Sequence, residues 1–533
     1  MRVVERAYGA CPGLESLVGS DRASVPDLLR ARVAATPDNL FLRWQGRTWS
    51  YAEALTECER FAGFLHRSGR AGERVAGYTA NRPEAIWAWF GTQLAGGTYV
   101  PLNRSHRGAV LQDMLQRSGA SVLVTDEGDN NRIQQIAGPD LKAILVAGCD
   151  PGSTSATTIS YEQASDTDPW AGSCPRPEQL GMVMYTSGST GRSKAVRLTH
   201  NQHARGAAHI ATSFGMRGDD VWHGWAPLYH VFGQLYVVLG SVAAGASIAL
   251  RPRFSLSGFW REIHESGATL IGALANMMRM VWALPDDEHS LTNPARLALA
   301  MGRFADLHRS FEQRYDLKVI DCYGLTEAEP LTLPDLHNSP PGTHGRPSPD
   351  FELAILDQHG RILPAGETGQ IAARPRVPDV IFTGYEGDDD RTVEAWRDLW
   401  FHTGDVGLID TDGLLHYLGR CADAIRRNGE NVSAQEIETI AQQCPGVIAA
   451  AAVGIPAPDG EDEIKLTAVV DPALSVTPAT LHAFCSREMA PFMVPRYIEL
   501  TTELPVLDVG KVDRQALRVS ADDVWDAREQ ADG

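Results

Sequence analysis

The sequence predicts an α/β protein in two parts, a large N-terminal part built on mostly parallel sheet and a smaller α/β part behind it. Three observations carry this. Strand-like and helix-like runs alternate through the first third, short alternating runs fill 339–420, and helix–strand alternation resumes after Arg420. A chain of 533 residues also exceeds several-fold the roughly 150 residues of one compact domain.

Ser50 and Glu53 form a capping box ahead of Leu55, Cys58, Phe61, Ala62 and Leu65, which recur at helical spacing until Gly69. A strand over Arg74–Tyr78, a helix over Pro83–Leu94, a strand over Thr98–Leu102, a further helix and the apolar run Ser121–Thr125 follow. Strands separated by helices of this length indicate βαβ units. Phe351–Leu356 and Gly369–Ala373 alternate and are broken by Gly, Pro and Asp, which predicts antiparallel or barrel-like strands. Ser433 and Glu436 form a second capping box before Ile437, Ile440, Ala441 and Cys444. The boundary is placed near 420, giving parts 1–419 and 420–533, with a polar, loosely ordered tail after Arg518.

The 48 Lys and Arg against 67 Asp and Glu leave a net charge of −19, which disfavours nucleic acid or an anionic membrane as partner. Eight cysteines are scattered without a CxxC pair or zinc spacing, as reduced core thiols are. The start lacks the apolar stretch of a secretory signal, and Leu235–Leu250 is 16 residues long where a membrane span needs roughly 20. These features predict a soluble, cytoplasmic protein.

The strongest chemical signal runs from Tyr185 to Lys194, directly behind the apolar run Met182–Met184. Thr186, Ser187, Gly188, Ser189, Thr190 and Gly191 offer hydroxyls and backbone N–H groups to phosphate oxygens, and Lys194 adds positive charge. It is not a Walker A loop, because Ala195 rather than Ser or Thr follows the lysine.

With this loop, four further motifs resemble the adenylate-forming superfamily of acyl-CoA synthetases, peptide-synthetase adenylation domains and beetle luciferases. They are Tyr323-Gly324-Leu325-Thr326-Glu327, Thr403-Gly404-Asp405, Gly419-Arg420 and Gly510-Lys511, in the family's order over nearly the whole chain. The resemblance implies doubly wound α/β sheets plus a small β-barrel, and a mobile C-terminal domain. It implies ATP and Mg²⁺ as cofactors. Lys194 and the loop would hold the β- and γ-phosphates, and Gly302, Tyr323, Gly324 and Thr326 would border the nucleotide. Glu327 would bind the metal, Asp405 and Arg420 would bind the nucleotide, with Asp405 on the ribose hydroxyls. Lys511 would bridge the acid's carboxylate and the α-phosphate. Taken alone, Glu327 reads equally as a surface carboxylate and Lys511 reads as a solvated lysine, while a Gly-flanked turn is the lesser alternative for Asp405.

Within the superfamily, Pro227-Leu-Tyr-His230, Arg253–Trp260, Asn428–Ser433 and Trp525-Asp526 look like the crotonobetaine/carnitine-CoA ligase type. No acid lies between Tyr229 and Gln234, which disfavours an α-amino acid substrate. Trp225, Tyr229, His230, Phe232, Tyr236, Met277 and Leu325 are the pocket candidates, and their aromatics suggest an aromatic acid such as a cinnamate or benzoate. Departures from the pattern stand at Arg303, Pro330, Gln370 and Ala422. Arg303 either binds a second anionic group of the substrate or points to solvent. The expected reaction is adenylation of a small-molecule acid and transfer to CoA by a monomer or homodimer. The rivals are an amide ligase, a nitrite-activating diazotase acting on an arylamine, and an inactive nucleotide-binding homologue.

Overall fold

The computed structural model describes residues 22–148, 158–186, 193–302, 304–420, 424–427, 430–456, 462–489, 491–507, 511–518 and 524–528. Two seven-stranded sheets dominate the N-terminal part. One runs in the order 158–160, 143–147, 122–126, 74–78, 98–101, 180–186, 194–199. Every neighbouring pair in it is parallel except the last, where Leu180–Thr186 and Lys194–Thr199 form an antiparallel hairpin. The other sheet runs 318–320, 297–301, 270–274, 221–224, 247–250, 40–44, 47–50, again parallel until its edge hairpin. Parallel strands need crossover helices on both faces, so they are buried along their length, as Val122–Asp126 and Ala143–Ala147 are at every position.

The helix Tyr51–Arg67 carries both bonds of its capping box, Glu53 N to Ser50 Oγ at 3.2 Å and Ser50 N to Glu53 Oε2 at 2.7 Å. Asp220 ties the second sheet together, accepting from Arg296 Nε at 2.8 Å and Thr269 Oγ1 at 2.7 Å. A five-stranded antiparallel sheet follows, built from Phe351–Leu356, Gly369–Pro375, Trp396–Arg397, Trp400–Ile409 and Leu415–Arg420. Buried Asp350, at its entrance, accepts from Arg205 Nε at 2.6 Å and pairs with His209 Nε2 at 2.9 Å, docking this sheet on the helix His200–Ser213.

The C-terminal part has its own hydrophobic core around Ile437, Ile464, Leu466, Leu481 and Ile498. Its four-stranded sheet orders 447–456, 462–470, 497–501 and 525–526. The tail expected to be loose therefore contains an edge strand. Trp525 pairs with Ile498, and Asp526 accepts from Arg496 Nη2 at 2.8 Å. The Ser433 and Glu436 side chains of the second expected capping box lie outside the described residues, as do Ala422 and Gly510. Among the described residues no helix is long and apolar enough to cross a membrane.

Candidate active site

A large cleft opens between the N-terminal sheets, the antiparallel sheet and the C-terminal part. It is lined by Thr186 and Lys194, by Gly302 and the whole run Tyr323–Glu327, and by Asp405, Arg420 and Lys511. The expected pocket residues Trp225, Tyr229, His230, Phe232, Tyr236, Met277 and Leu325 line it too. Ser187, Gly188, Ser189, Thr190, Gly191 and Arg303 lie outside the described residues.

Thr186 and Lys194, which flank the expected phosphate loop in the sequence, stand opposite each other in the register of the edge hairpin. Lys194 Nζ stands 4.7 Å from the centroid of the Tyr385 ring and 3.4 Å from its hydroxyl oxygen. The same hydroxyl donates to Glu327 Oε1 at 2.7 Å, so one tyrosine spaces the lysine from the carboxylate. Gln202 Nε2 donates to the Glu327 carbonyl at 3.1 Å and anchors the motif from the buried helix beneath. Gly302 has φ +104°, a left-handed conformation suited to glycine, and its N–H donates to Asp321 Oδ2 at 3.1 Å.

Asp405 is 5% exposed. Its Oδ2 accepts from the Tyr323 hydroxyl at 2.6 Å, while Oδ1 is buried without a hydrogen bond among the described residues, 3.5 Å from Arg420 Nε. Burial raises the Asp405 pKa, opposed by Arg420, Tyr323 and Lys511. Tyr323 also stacks on Tyr417 at 5.6 Å, forming a flat aromatic shelf beside the carboxylate.

Lys511 is open to the solvent in the cleft, yet the walls enclose it closely enough that burial lowers its pKa. Arg420 lowers it further, while Asp405 and Glu329 act to raise it. Lys511 in turn helps burial depress His230 to about 4, which keeps that imidazole neutral.

The acid side of the cleft is aromatic. Trp225 meets Phe254 and Phe232 edge-on at 5.0 and 6.1 Å, and Phe232 meets Tyr236 at 5.8 Å. Phe232 and Tyr236 belong to a π-helical segment, Phe232–Leu239, a wide winding often found at functional sites. Asn81 holds the preceding loop, donating to the Trp225 and Ala226 carbonyls at 2.9 Å and accepting from Leu228 N at 2.9 Å. Asn81, Gln202, Tyr385 and Glu329 were not legible in the sequence, because none belongs to a recognisable spacing.

The model of the AMP-binding enzyme family matches residues 29–385, and that of its C-terminal domain matches 436–511. The crotonobetaine/carnitine–CoA ligase of Salmonella paratyphi B is 30% identical over 499 residues, covering 89% of this chain and 93% of that protein. The corresponding ligase of Escherichia coli O8 is 29% identical over 490 residues, covering 88% and 93%. ATP-bound MatB from Rhodopseudomonas palustris superposes with a TM-score of 0.85 at 26% identity, covering 93% of this chain and 98% of that one. Described residues of all five motifs line one cleft, and the chain belongs to the AMP-binding, adenylate-forming family and is an AMP-forming ligase of the acyl-CoA ligase type.

Proposed function

We propose that this chain adenylates an aromatic carboxylic acid with ATP and then transfers the acyl group to CoA. The observation that carries it is one cleft in which Lys511, Asp405 and the Lys194–Tyr385–Glu327 group face a wall of Trp225, Phe232, Tyr236 and Phe254.

In the first half-reaction the acid's carboxylate oxygen bonds to the α-phosphorus of ATP and the bond to pyrophosphate breaks, giving acyl-AMP. Two anions must meet, so charge neutralisation and alignment matter more than proton transfer. Lys511 supplies the positive charge between the two anions, and neutral His230 adds none that would compete for the carboxylate. Lys194 holds the departing pyrophosphate together with the loop 187–191. Asp405, whose buried Oδ1 has no hydrogen bond among the described residues, accepts from the ribose diol, and Tyr323 and Tyr417 offer the base a flat face. Gly302, Gly324, Thr326 and Arg420 border the nucleotide.

Mg²⁺ suits this site, since it commonly takes one or two carboxylates and completes its shell with phosphates and water. Glu327 provides a hard oxygen there, oriented by Tyr385. When bound, the ion neutralises phosphate charge.

In the second half-reaction the CoA thiol attacks the acyl carbon and AMP leaves, with the part 420–533 rotating to remove Lys511 from the site. The test is turnover with and without CoA. Without a nucleophile the adenylate is held by the contacts that hold ATP, so pyrophosphate release should be a slow, product-inhibited burst. CoA should convert it to steady turnover and yield a thioester. Indifference to CoA, with acceleration by an amine or by nitrite plus an arylamine, would overturn the CoA half of the proposal.

A further inference from the structure

Glu329 stands two residues beyond Glu327 yet faces a different environment. Leu325 and Ala328 exchange both backbone hydrogen bonds, at 3.2 and 2.7 Å, and this tight turn sends the two carboxylates apart. Glu327 meets Tyr385 on the phosphate side, whereas Glu329 meets Tyr236 on the acid side. Glu329 is 7% exposed, and what remains open faces the cleft. The Tyr236 hydroxyl donates to its Oε1, and among the described residues this is the one hydrogen bond its side chain makes. Oε2 lies beside Gly324, where a Cβ would sit 2.5 Å from Oε1 and 2.7 Å from Oε2, so the carboxylate occupies space that only glycine leaves.

Such a group is costly where it stands. An ionised carboxylate in an aromatic pocket loses hydration that one tyrosine does not replace. The proposed adenylation has no use for it, since Lys511, Asp405 and Glu327 already take the roles at the two anions, the ribose and the metal. A ligand group that donates a hydrogen bond would complete its shell.

We propose that Glu329, held by Tyr236, recognises an N–H or O–H donor on the body of the acid, so that the substrate is an amino- or hydroxy-substituted aromatic acid. This rests on the reading that the cleft adenylates an aromatic acid. The residue acts as a specificity determinant. An acid lacking the donor sets C–H groups against the carboxylate and leaves it unpaired. Sites built around a substrate donor reject such analogues by up to about 10⁵-fold, so a discrimination of about 100-fold or more is expected here.

The experiment uses the full chain, with ATP and Mg²⁺, read by pyrophosphate release. The panel is benzoate and cinnamate, their amino and hydroxy derivatives at each ring position, and the matching methoxy and dimethylamino derivatives. At least one amino or hydroxy acid should exceed its parent about 100-fold in kcat/KM, while its donor-free methoxy or dimethylamino counterpart falls with the parent. Whether the amino or the hydroxy arm responds identifies the donor. Glu329→Met should erase this preference, raising KM for the donor-bearing acid without changing KM for ATP, and Glu329→Gln should retain part of it. Equal turnover of parent and donor-bearing acids by the wild-type chain would overturn the inference and leave the adenylation reading standing. Equal loss of all acids in both variants, with ATP binding intact, would also overturn it. Adenylation of none of the panel would overturn the aromatic-acid reading and this inference together.

Discussion

The Tyr323 hydroxyl donates to Asp405 across 2.6 Å, joining two motifs that lie 82 residues apart in the chain. The bond occupies Oδ2 and leaves Oδ1 buried without a hydrogen bond among the described residues, with Arg420 Nε 3.5 Å away. Asp405→Asn should weaken ATP binding by about 1.5–3 kcal/mol, the value of a charge-assisted hydrogen bond. Tyr323→Phe should cost about 1–3 kcal/mol of stability, because it strands a buried carboxylate oxygen. Calorimetry on Asp405→Asn and denaturant titration of Tyr323→Phe check the two, and unchanged ATP affinity in the former would exclude the ribose role.

The two cleft lysines should separate by half-reaction. Lys511→Ala should abolish pyrophosphate release while leaving thioester formation from supplied acyl-AMP largely intact, because Lys511 leaves the site before the second step. Lys194→Ala should slow ATP use more mildly, since Tyr385 still orients Glu327 and the loop's amides remain. Equal loss of both half-reactions in Lys511→Ala would argue against domain rotation.

Acid should unfold the protein through its buried histidines. Burial lowers His203 to about 4 and His200 to about 3, from an ordinary 6.5, with repulsion between the two adding to the shift of His200. Below 6.5 the unfolded chain takes up protons that the folded one refuses, so stability falls as pH drops towards the folded values. Near pH 5 one such histidine contributes about 2 kcal/mol of the loss. His203→Gln should therefore flatten the decline in urea midpoint between neutral pH and pH 5. A decline as steep as that of the wild type would show that other groups govern it.

Asp350 should matter to stability far from the cleft mouth. Asp350→Ala leaves buried His209 and Arg205 without their carboxylate, and breaking a buried ionic group in this way costs about 3–5 kcal/mol. Thermal and denaturant unfolding measure it, and a loss below about 1 kcal/mol would mean that the sheet docks by apolar contact alone.

The sequence by itself determined the alternating α/β architecture, because strand and helix periods are local and the apolar runs 74–78, 98–101 and 122–126 stand out from their neighbours. It also determined the family, because the motifs that carry the resemblance are short contiguous runs that can be read without the fold. The tertiary structure decided everything that depends on residues meeting from afar. Tyr385 joins Lys194 to Glu327 across 191 and 58 positions, and Tyr236 reaches Glu329 across 93. Nothing in the pattern Glu-Ala-Glu says which carboxylate meets Tyr385 and which meets Tyr236. The turn at Leu325–Ala328 separates them, and only the elements packed on either side give each its environment.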